Sequence, residues 1–234
     1  MERIDATGEV TRIKSGISCL DSVLSGGLEK KIISEIYGEG GSGKTNLSLL
    51  LSLSVVSSGG TVVYLDTEGV STERIRQLTA SMKGDLKKLY LYRIKSLEDQ
   101  ELTLLRIEKN IDRGQAVPDL IVIDSFTEYF RLEKSSDPSG RTAIMQKHMA
   151  ILMSIISKSD CAVLITNQIY QDVQTGNLEP FGGYVIDHSV KAIFRISKLP
   201  ESKRKMEVLK HRSEREGHSM YFRITSFGIE CLQS

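Results

Sequence analysis

The sequence lacks the features that mark membrane, secreted or disulfide-stapled proteins. No apolar run reaches the length that crosses a bilayer, and no apolar segment follows a basic N-terminus as in a secretory signal. The three cysteines, Cys19, Cys161 and Cys231, are widely spaced and fit neither a zinc site nor a disulfide framework. We therefore expect buried or partly buried thiols in a cytoplasmic protein.

The chain also has little net charge, which excludes binding to nucleic acid through bulk charge alone. It holds 31 Lys and Arg against 30 Asp and Glu, a formal net charge of +1. Residues 185–234 are nevertheless basic, with 10 Lys and Arg against 6 Asp and Glu, clustered at 203–205 and 210–212. Such a tail can attract phosphate backbones or can be an ordinary solvated surface, and charge leaves both open.

Length and patterning predict one α/β domain. The 234 residues suit a short N-terminal arm, 1–15, and a single core domain, 16–234. Apolar runs that predict buried strands alternate with helical patterns, which indicates a parallel sheet flanked by helices. The runs are 32–37, 61–65, 89–92, 120–124 and 162–166, and the helical patterns are 44–57, 72–81, 97–113 and 141–159. Three later runs predict an antiparallel C-terminal extension: 191–197, 206–211 and 221–225.

Two polar segments, 128–140 and 170–183, are predicted to be irregular. Long loops inside a compact domain are often functional. Both segments follow strands of the parallel set, so we expect them at the carboxyl edge of the sheet, where open α/β sheets bind ligands.

A glycine-rich segment between a predicted strand and a predicted helix fits the phosphate-binding pattern G-x-x-x-x-G-K-[ST] completely. The glycines let backbone N–H groups face phosphates, and the helix N-terminus adds positive potential. We predict that this segment binds ATP, with Lys44 at the β- and γ-phosphates and Thr45 on Mg²⁺. Its residues are Gly38, Glu39, Gly40, Gly41, Ser42, Gly43, Lys44 and Thr45.

Two carboxylates follow predicted strands of the same sheet. Asp124 ends the apolar run 120–124, and we predict that it holds Mg²⁺ together with the phosphate loop. Glu68 follows the strand 61–65 and can orient and deprotonate an attacking water. It can equally cap the helix that begins near Ser71, and the residues alone leave both roles open.

Taken in order along the chain, these pieces resemble the core of the RecA/RadA recombinases and, within that superfamily, the archaeal RadB paralogues. The resemblance spans nearly the whole chain and implies a RecA-type P-loop ATPase core that uses ATP and Mg²⁺. Besides the phosphate loop and Asp124, it rests on GISCLD (16–21), GG (26–27), EIYGE (35–39), DTEG (66–69), TNQ (166–168), FGG (181–183), LKHRS (209–213), EG (216–217) and FRIT (222–225).

The resemblance also implies roles for individual residues. Glu68 matches the catalytic carboxylate, Gln168 the sensor of the γ-phosphate, and Arg74 the arginine that lies against the adenine. The two polar segments match DNA-facing loops, in which Arg131 and Arg141 can contact phosphates or stack on bases.

Tyr170 and Phe181 bracket the second of these loops. Either side chain can stack on a base or simply pack in the core, and both readings stay open.

Two departures from the RadA pattern bear on activity. Only about 15 residues precede Gly16, so we expect no helix–hairpin–helix DNA-binding domain. No Phe precedes Phe126, so we also expect no Phe-x-x-Ala hook between neighbouring subunits. We therefore expect neither filament assembly nor strand exchange.

The pair Lys210 and Arg212 is a further departure. Because alternate residues of a strand point the same way, we expect these two side chains on one face. In several RecA-like ATPases, cations in a Lys-x-Lys or Lys-x-Arg pattern reach the γ-phosphate of a neighbouring subunit. The pair can serve that purpose, bind DNA phosphate, or be ordinary surface.

The function implied by the resemblance is that of an ATP-binding, DNA-binding accessory in homologous recombination and DNA repair. We expect weak ATP hydrolysis, binding to single-stranded or branched DNA, and contacts with a RadA-type recombinase or a Holliday-junction resolvase. A homo-oligomer fits this expectation and membrane attachment does not. The alternatives are a DNA-stimulated recombinase ATPase and a KaiC-like ATPase without a DNA role.

Overall fold

The computed structural model describes residues 10–80, 85–115, 117–132, 138–171 and 178–233. Every helix and strand expected from the sequence is present. The helices are α1 (Ser18–Val23), α2 (Lys44–Ser57), α3 (Thr72–Thr79), α4 (Leu97–Asp112), α5 (Glu128–Leu132), α6 (Pro138–Lys158) and α7 (Gly183–Ser189), with a 3-10 turn at Leu86–Lys88. The strands are β1 (Arg12–Ile13), β2 (Leu28–Glu29), β3 (Ile33–Gly38), β4 (Val62–Asp66), β5 (Leu89–Arg93), β6 (Leu120–Asp124), β7 (Ala162–Gln171), β8 (Leu178–Pro180), β9 (Ala192–Lys198), β10 (Arg204–His211), β11 (Ser219–Thr225) and β12 (Gly228–Leu232). Among the described helices, none is long and apolar enough to cross a membrane.

The central sheet has the strand order β12-β11-β10-β9-β3-β7-β6-β4-β5. The strands from β9 to β5 run parallel to one another. The strands β10, β11 and β12 continue the sheet antiparallel. The predicted α/β class, with a mainly parallel sheet and an antiparallel C-terminal extension, is confirmed. One detail differs, because β9 pairs parallel with β3 and the antiparallel part begins only at β10.

Apolar side chains cover both faces of this sheet. Alternate residues of a strand point to opposite faces, so β6 places Leu120 and Val122 in one core cluster and Ile121 and Ile123 in the other. The first cluster includes the apolar side chains of α2, and the second includes those of α4 and α6. The sheet is therefore buried on both sides, and its carboxyl edge is the place where polar side chains can gather.

The two segments expected to be irregular are partly regular, and the prediction was wrong to that extent. Residues 128–132 form α5, α6 begins at Pro138, and β7 continues to Gln171 before β8 pairs antiparallel with it. Polar residues can form such elements because the backbone, not the side chains, supplies their hydrogen bonds. The remaining residues of these segments, 133–137 and 172–177, lie outside the described residues.

Cys19 and Cys231 form a disulfide bond, so the expectation of thiols is wrong for these two residues. They are 212 residues apart in the sequence, but α1 packs on β11, the neighbour of β12 in the sheet. The spacing of the cysteines along the chain does not predict that contact. Cys161 is a free buried thiol as expected, and burial raises its pKa.

Candidate nucleotide site

The phosphate loop joins β3 to α2, and its path requires glycine at both ends. A Cβ on Gly38 would lie 2.3 Å from the carbonyl oxygen of Ile196 in the neighbouring β9. Gly43 has a φ of 111°, and a Cβ there would lie 3.0 Å from Cδ1 of Ile224. Larger residues would push β9 and β11 away from the loop, so packing as well as backbone conformation selects glycine here.

The loop presents donor groups that fit a polyphosphate. Within the described chain, no side chain caps the first turn of α2, so its N–H groups remain available to an anion. The buried Oγ of Ser42 has no hydrogen-bond partner among the described atoms. The Nζ of Lys44 donates to the carbonyl oxygens of Gly38 at 2.9 Å and Glu39 at 3.0 Å. Burial lowers the pKa of Lys44, and nearby carboxylates oppose that shift.

Asp124 ends β6 with both carboxylate oxygens fixed. The hydroxyl of Tyr64 donates to Oδ2 at 2.6 Å, and the hydroxyl of Thr166 donates to Oδ1 at 2.5 Å. Burial, together with the Asp124 carboxylate, raises the pKa of Tyr64 well above its usual value, so its hydroxyl remains a donor. A carboxylate held in this way at the sheet edge is a preorganised oxygen ligand for a hard cation.

Glu68 and Gln168 meet at the same edge. Nε2 of Gln168, on β7, donates to Oε1 of Glu68 at 2.6 Å. The preceding residue, Thr67, exchanges two hydrogen bonds with the backbone of Ser125 after β6. Ser71 is the N-cap of α3, so Glu68 is not needed for capping. Burial raises the pKa of Glu68, and the hydrogen bond from Gln168 opposes this shift.

A buried polar pair behind this edge was missed by the sequence reasoning. Asn167 donates from Nδ2 to Oε1 of Glu35 at 2.8 Å and to the carbonyl oxygen of Phe181 at 2.7 Å. Its own Oδ1 accepts from Thr127 at 2.6 Å. Asn167 therefore links the strand before the phosphate loop to the end of the second polar segment. One signal for this pair was present in the sequence, which is that Glu35 lies inside the apolar run 32–37.

Arg74, expected beside the adenine, lies between α2 and the turn that joins β11 to β12. Its Nε donates to Oδ1 of Asn46 at 2.6 Å. Its two terminal nitrogens face the carbonyl oxygens of Ser226, at 3.0 Å, and Gly228, at 3.5 Å. Arg74 is thus close to the start of α2, where the phosphate loop ends.

The two arginines expected to face DNA, Arg131 and Arg141, have different partners. Arg131 lies in α5 and pairs with Glu128 at 3.3 Å. The guanidinium of Arg141 lies 5.7 Å from the ring centroid of Phe181, which makes an edge contact with Tyr170 at 6.0 Å. The structure thus places Arg141 beside Phe181, and Phe181 beside Tyr170.

The expectation that Lys210 and Arg212 share one face is wrong. The register of β10 shifts between Val208 and Lys210, and β10 ends at His211, before Arg212. Lys210 donates to the carbonyl oxygen of Asp187 in α7, beside the second core cluster. Arg212 pairs instead with the carboxylate of Glu29 in β2, beside the first cluster. The bulge lies before both residues, so it is the end of β10 at His211 that frees Arg212 from the alternation that would align it with Lys210.

Comparison with known proteins gives the family. The sequence model of the Rad51 family matches residues 6–231 of this chain. The DNA repair and recombination protein RadB of Thermoplasma acidophilum is 48% identical over 231 residues, 99% of both chains. Its counterpart in Thermoplasma volcanium is 45% identical, over 99% of this chain and 97% of that one. A crystal structure of the RadB recombinase is 31% identical with a TM-score of 0.80, covering 94% of this chain and 100% of that chain. The protein therefore belongs to the Rad51 family.

Proposed function

We propose that this protein binds ATP with Mg²⁺ and acts in DNA repair and homologous recombination as an accessory to the main recombinase. The observation that carries ATP binding is the convergence of Lys44, Asp124 and the Glu68–Gln168 pair around one phosphate loop. The names of the Thermoplasma relatives supply the biological process, since each matches this chain over almost its full length.

Each polar group at the site has a chemical task in this proposal. The N–H groups at the start of α2 bind phosphate oxygens, and Lys44 leaves its two carbonyl partners to contact the β- and γ-phosphates. Thr45 and Asp124 hold Mg²⁺, which neutralises phosphate charge when bound. Glu68 orients water and accepts its proton, and burial helps by making the carboxylate more basic. Gln168 links the γ-phosphate to Glu68 through its amide.

Weak hydrolysis is proposed because both candidate trans-acting cations are held by their own chain. Lys210 donates to the backbone of Asp187, and Arg212 pairs with the nearly buried carboxylate of Glu29. A cation that stabilises phosphoryl transfer in a neighbouring subunit must first leave these partners. This arrangement supports a nucleotide-binding protein with slow turnover and no strand exchange of its own.

DNA binding is proposed through Arg131, Arg141 and the basic C-terminal strands, with single-stranded or branched DNA as the ligand. A RadA-type recombinase or a Holliday-junction resolvase is the proposed protein partner. Membership of the Rad51 family favours this role over a KaiC-like ATPase. A DNA-stimulated recombinase remains the second candidate, because the residues expected to act on ATP are all present.

Fluorescence anisotropy with single-stranded and branched DNA tests the DNA role. We expect the wild-type protein to bind DNA with an affinity that falls as the salt concentration rises. In Arg141→Ala, the slope of log affinity against log salt concentration should decrease by about the contribution of one phosphate contact. The matched control is Arg106→Ala, which removes an exposed arginine from α4. Absence of DNA binding at low salt would refute the accessory role in favour of the KaiC-like alternative.

A further inference from the structure

The disulfide between Cys19 and Cys231 joins the first helix to the last strand of the described chain. Cys19 lies in α1, whose Leu20 and Val23 are buried in the first core cluster. Cys231 lies in β12, which forms one edge of the central sheet and, among the described strands, pairs with β11 alone. Cys231 is exposed and Cys19 is half-buried, so a dissolved thiol can reach the bond from the side of Cys231.

The strand pair β11 and β12, here called the C-terminal hairpin, packs on the phosphate loop close to the disulfide. Phe222 in β11 lies directly opposite Cys231. A Cβ on Gly43 would lie 3.7 Å from Cε2 of the buried Phe222 ring and 3.0 Å from Cδ1 of Ile224. Gly43 is the N-cap of α2 and precedes Lys44. The hairpin therefore supports the backbone whose N–H groups are proposed to bind phosphate.

The other end of β12 is held against α2 by noncovalent contacts. A Cβ on Gly228 would lie 3.3 Å from Cδ2 of Leu50. The carbonyl oxygen of Gly228 lies 3.5 Å from a terminal nitrogen of Arg74, which donates from Nε to Asn46 at 2.6 Å. The strand β12 thus contacts α2 near its start and is bonded to α1 near its end. When the disulfide is broken, packing and hydrogen bonds alone keep this edge strand in place.

We propose that the Cys19–Cys231 disulfide is a redox switch that sets the affinity of the nucleotide site. The inference rests on the proposed ATP binding and adds a control to it. In the oxidised protein, the bond to α1 limits the displacement of the C-terminal hairpin, so Phe222 and Ile224 stay against the phosphate loop. In the reduced protein, the hairpin also populates positions away from the loop. ATP must then select the packed position, which lowers its apparent affinity.

The switch is operated by thiol–disulfide exchange with a dithiol reductant, which supplies two electrons and two protons. One thiolate of the reductant attacks the exposed sulfur of Cys231, and the sulfur of Cys19 leaves as a thiolate and takes up a proton. The second thiolate of the reductant then attacks the mixed disulfide. The sulfur of Cys231 leaves and is protonated, while the reductant closes its own disulfide. Oxidation reverses these steps.

Calorimetric titration of the oxidised and the dithiol-reduced wild type with ATP and Mg²⁺ tests this proposal. We expect reduction to weaken ATP binding about tenfold, which is within the usual range of coupling between two sites. Cys231→Ser should bind ATP like the reduced wild type, with or without reductant. The matched control is Cys161→Ala, which removes the free buried thiol and should keep the full response to reductant.

The equilibrium of the disulfide itself provides a second readout. Because coupling between two sites is reciprocal, tenfold tighter binding to the oxidised form means that ATP favours the disulfide by the same factor. Saturating ATP should therefore lower the midpoint reduction potential in a dithiol redox buffer by about 30 mV. A disulfide that served stability alone would titrate at the same potential with and without ATP.

Equal ATP affinity in the oxidised and the reduced wild type would overturn the switch while leaving the ATP site intact. Loss of affinity together with loss of the far-ultraviolet circular dichroism signal would also overturn it, because reduction would then unfold the whole domain. If neither form bound ATP, the proposed function and the switch would both fail.

Discussion

Replacing the buried Glu35 with glutamine should stabilise the protein, and more so as pH rises. Glu35 is fully buried, and its Oε2 has no hydrogen-bond partner among the described atoms. Burial raises the pKa of Glu35 from 4.5 to about 7, although the hydrogen bond from Asn167 opposes this shift. The folded state thus holds the proton more tightly than the unfolded state, so stability falls as pH rises from 4.5 through 7.

The size of the effect follows from the shift. At about 1.4 kcal/mol per pKa unit, a rise from 4.5 to about 7 corresponds to roughly 3 kcal/mol of stability lost by pH 8. Glutamine has no charge to bury, and its Oε1 can still accept from Asn167. The gain of Glu35→Gln over wild type should therefore be near zero at pH 4.5 and approach about 3 kcal/mol at pH 8.

Urea unfolding of both proteins between pH 4.5 and 8 measures this difference. Glu207→Gln is the control of opposite sign, because Lys205 and Arg195 hold the pKa of Glu207 below its usual value against the effect of burial. That variant should lose stability relative to wild type above pH 5. A Glu35→Gln effect that stays constant with pH, or a loss at pH 8, would refute the assignment of a buried, destabilised carboxylate.

Further predictions concern the nucleotide site and two long-range contacts. Lys44→Ala should abolish ATP binding by calorimetry, whereas Glu68→Gln should keep that binding and remove residual turnover; intact binding in Lys44→Ala would contradict the site. Arg212→Ala should lower the free energy of unfolding by about 1–3 kcal/mol, because Glu29 loses a partner while remaining buried. An unchanged midpoint of urea unfolding would show that the ion pair does not stabilise the protein. Reductant should lower the Tm of wild type but not of Cys19→Ser, which already lacks the disulfide; equal shifts in the two proteins would contradict that role.

The phosphate loop and Asp124 were predictable because their signals are local. Each lies at the end of an apolar run, and a parallel sheet brings the carboxyl ends of its strands to one edge. The sequence predicted Glu68 at this edge but not its hydrogen bond with Gln168, because β6 separates β4 from β7 and the order of strands in the sheet decides which residues meet. The positions agree with the family resemblance, while their chemical roles remain predictions.

The remaining contacts depend on tertiary geometry that local patterns do not encode. Asn167 lies 132 residues from Glu35, and only the pairing of β3 with β7 brings them together. Lys210 and Arg212 would align as i and i+2 on a regular strand, but β10 ends at His211, so Arg212 lies outside that alternation. The residues from Lys210 to Ser213 are all polar, so no apolar pattern marks where the strand ends.

The central claim, an ATP-binding accessory with slow hydrolysis, is tested most directly by ATP turnover with and without single-stranded DNA. Binding of the same DNA should be measured by anisotropy in the same buffer. This control distinguishes DNA that binds without raising turnover from DNA that does not bind. We expect DNA binding with slow turnover that DNA does not raise. Strong stimulation of turnover by DNA would contradict the accessory role and favour a working recombinase ATPase.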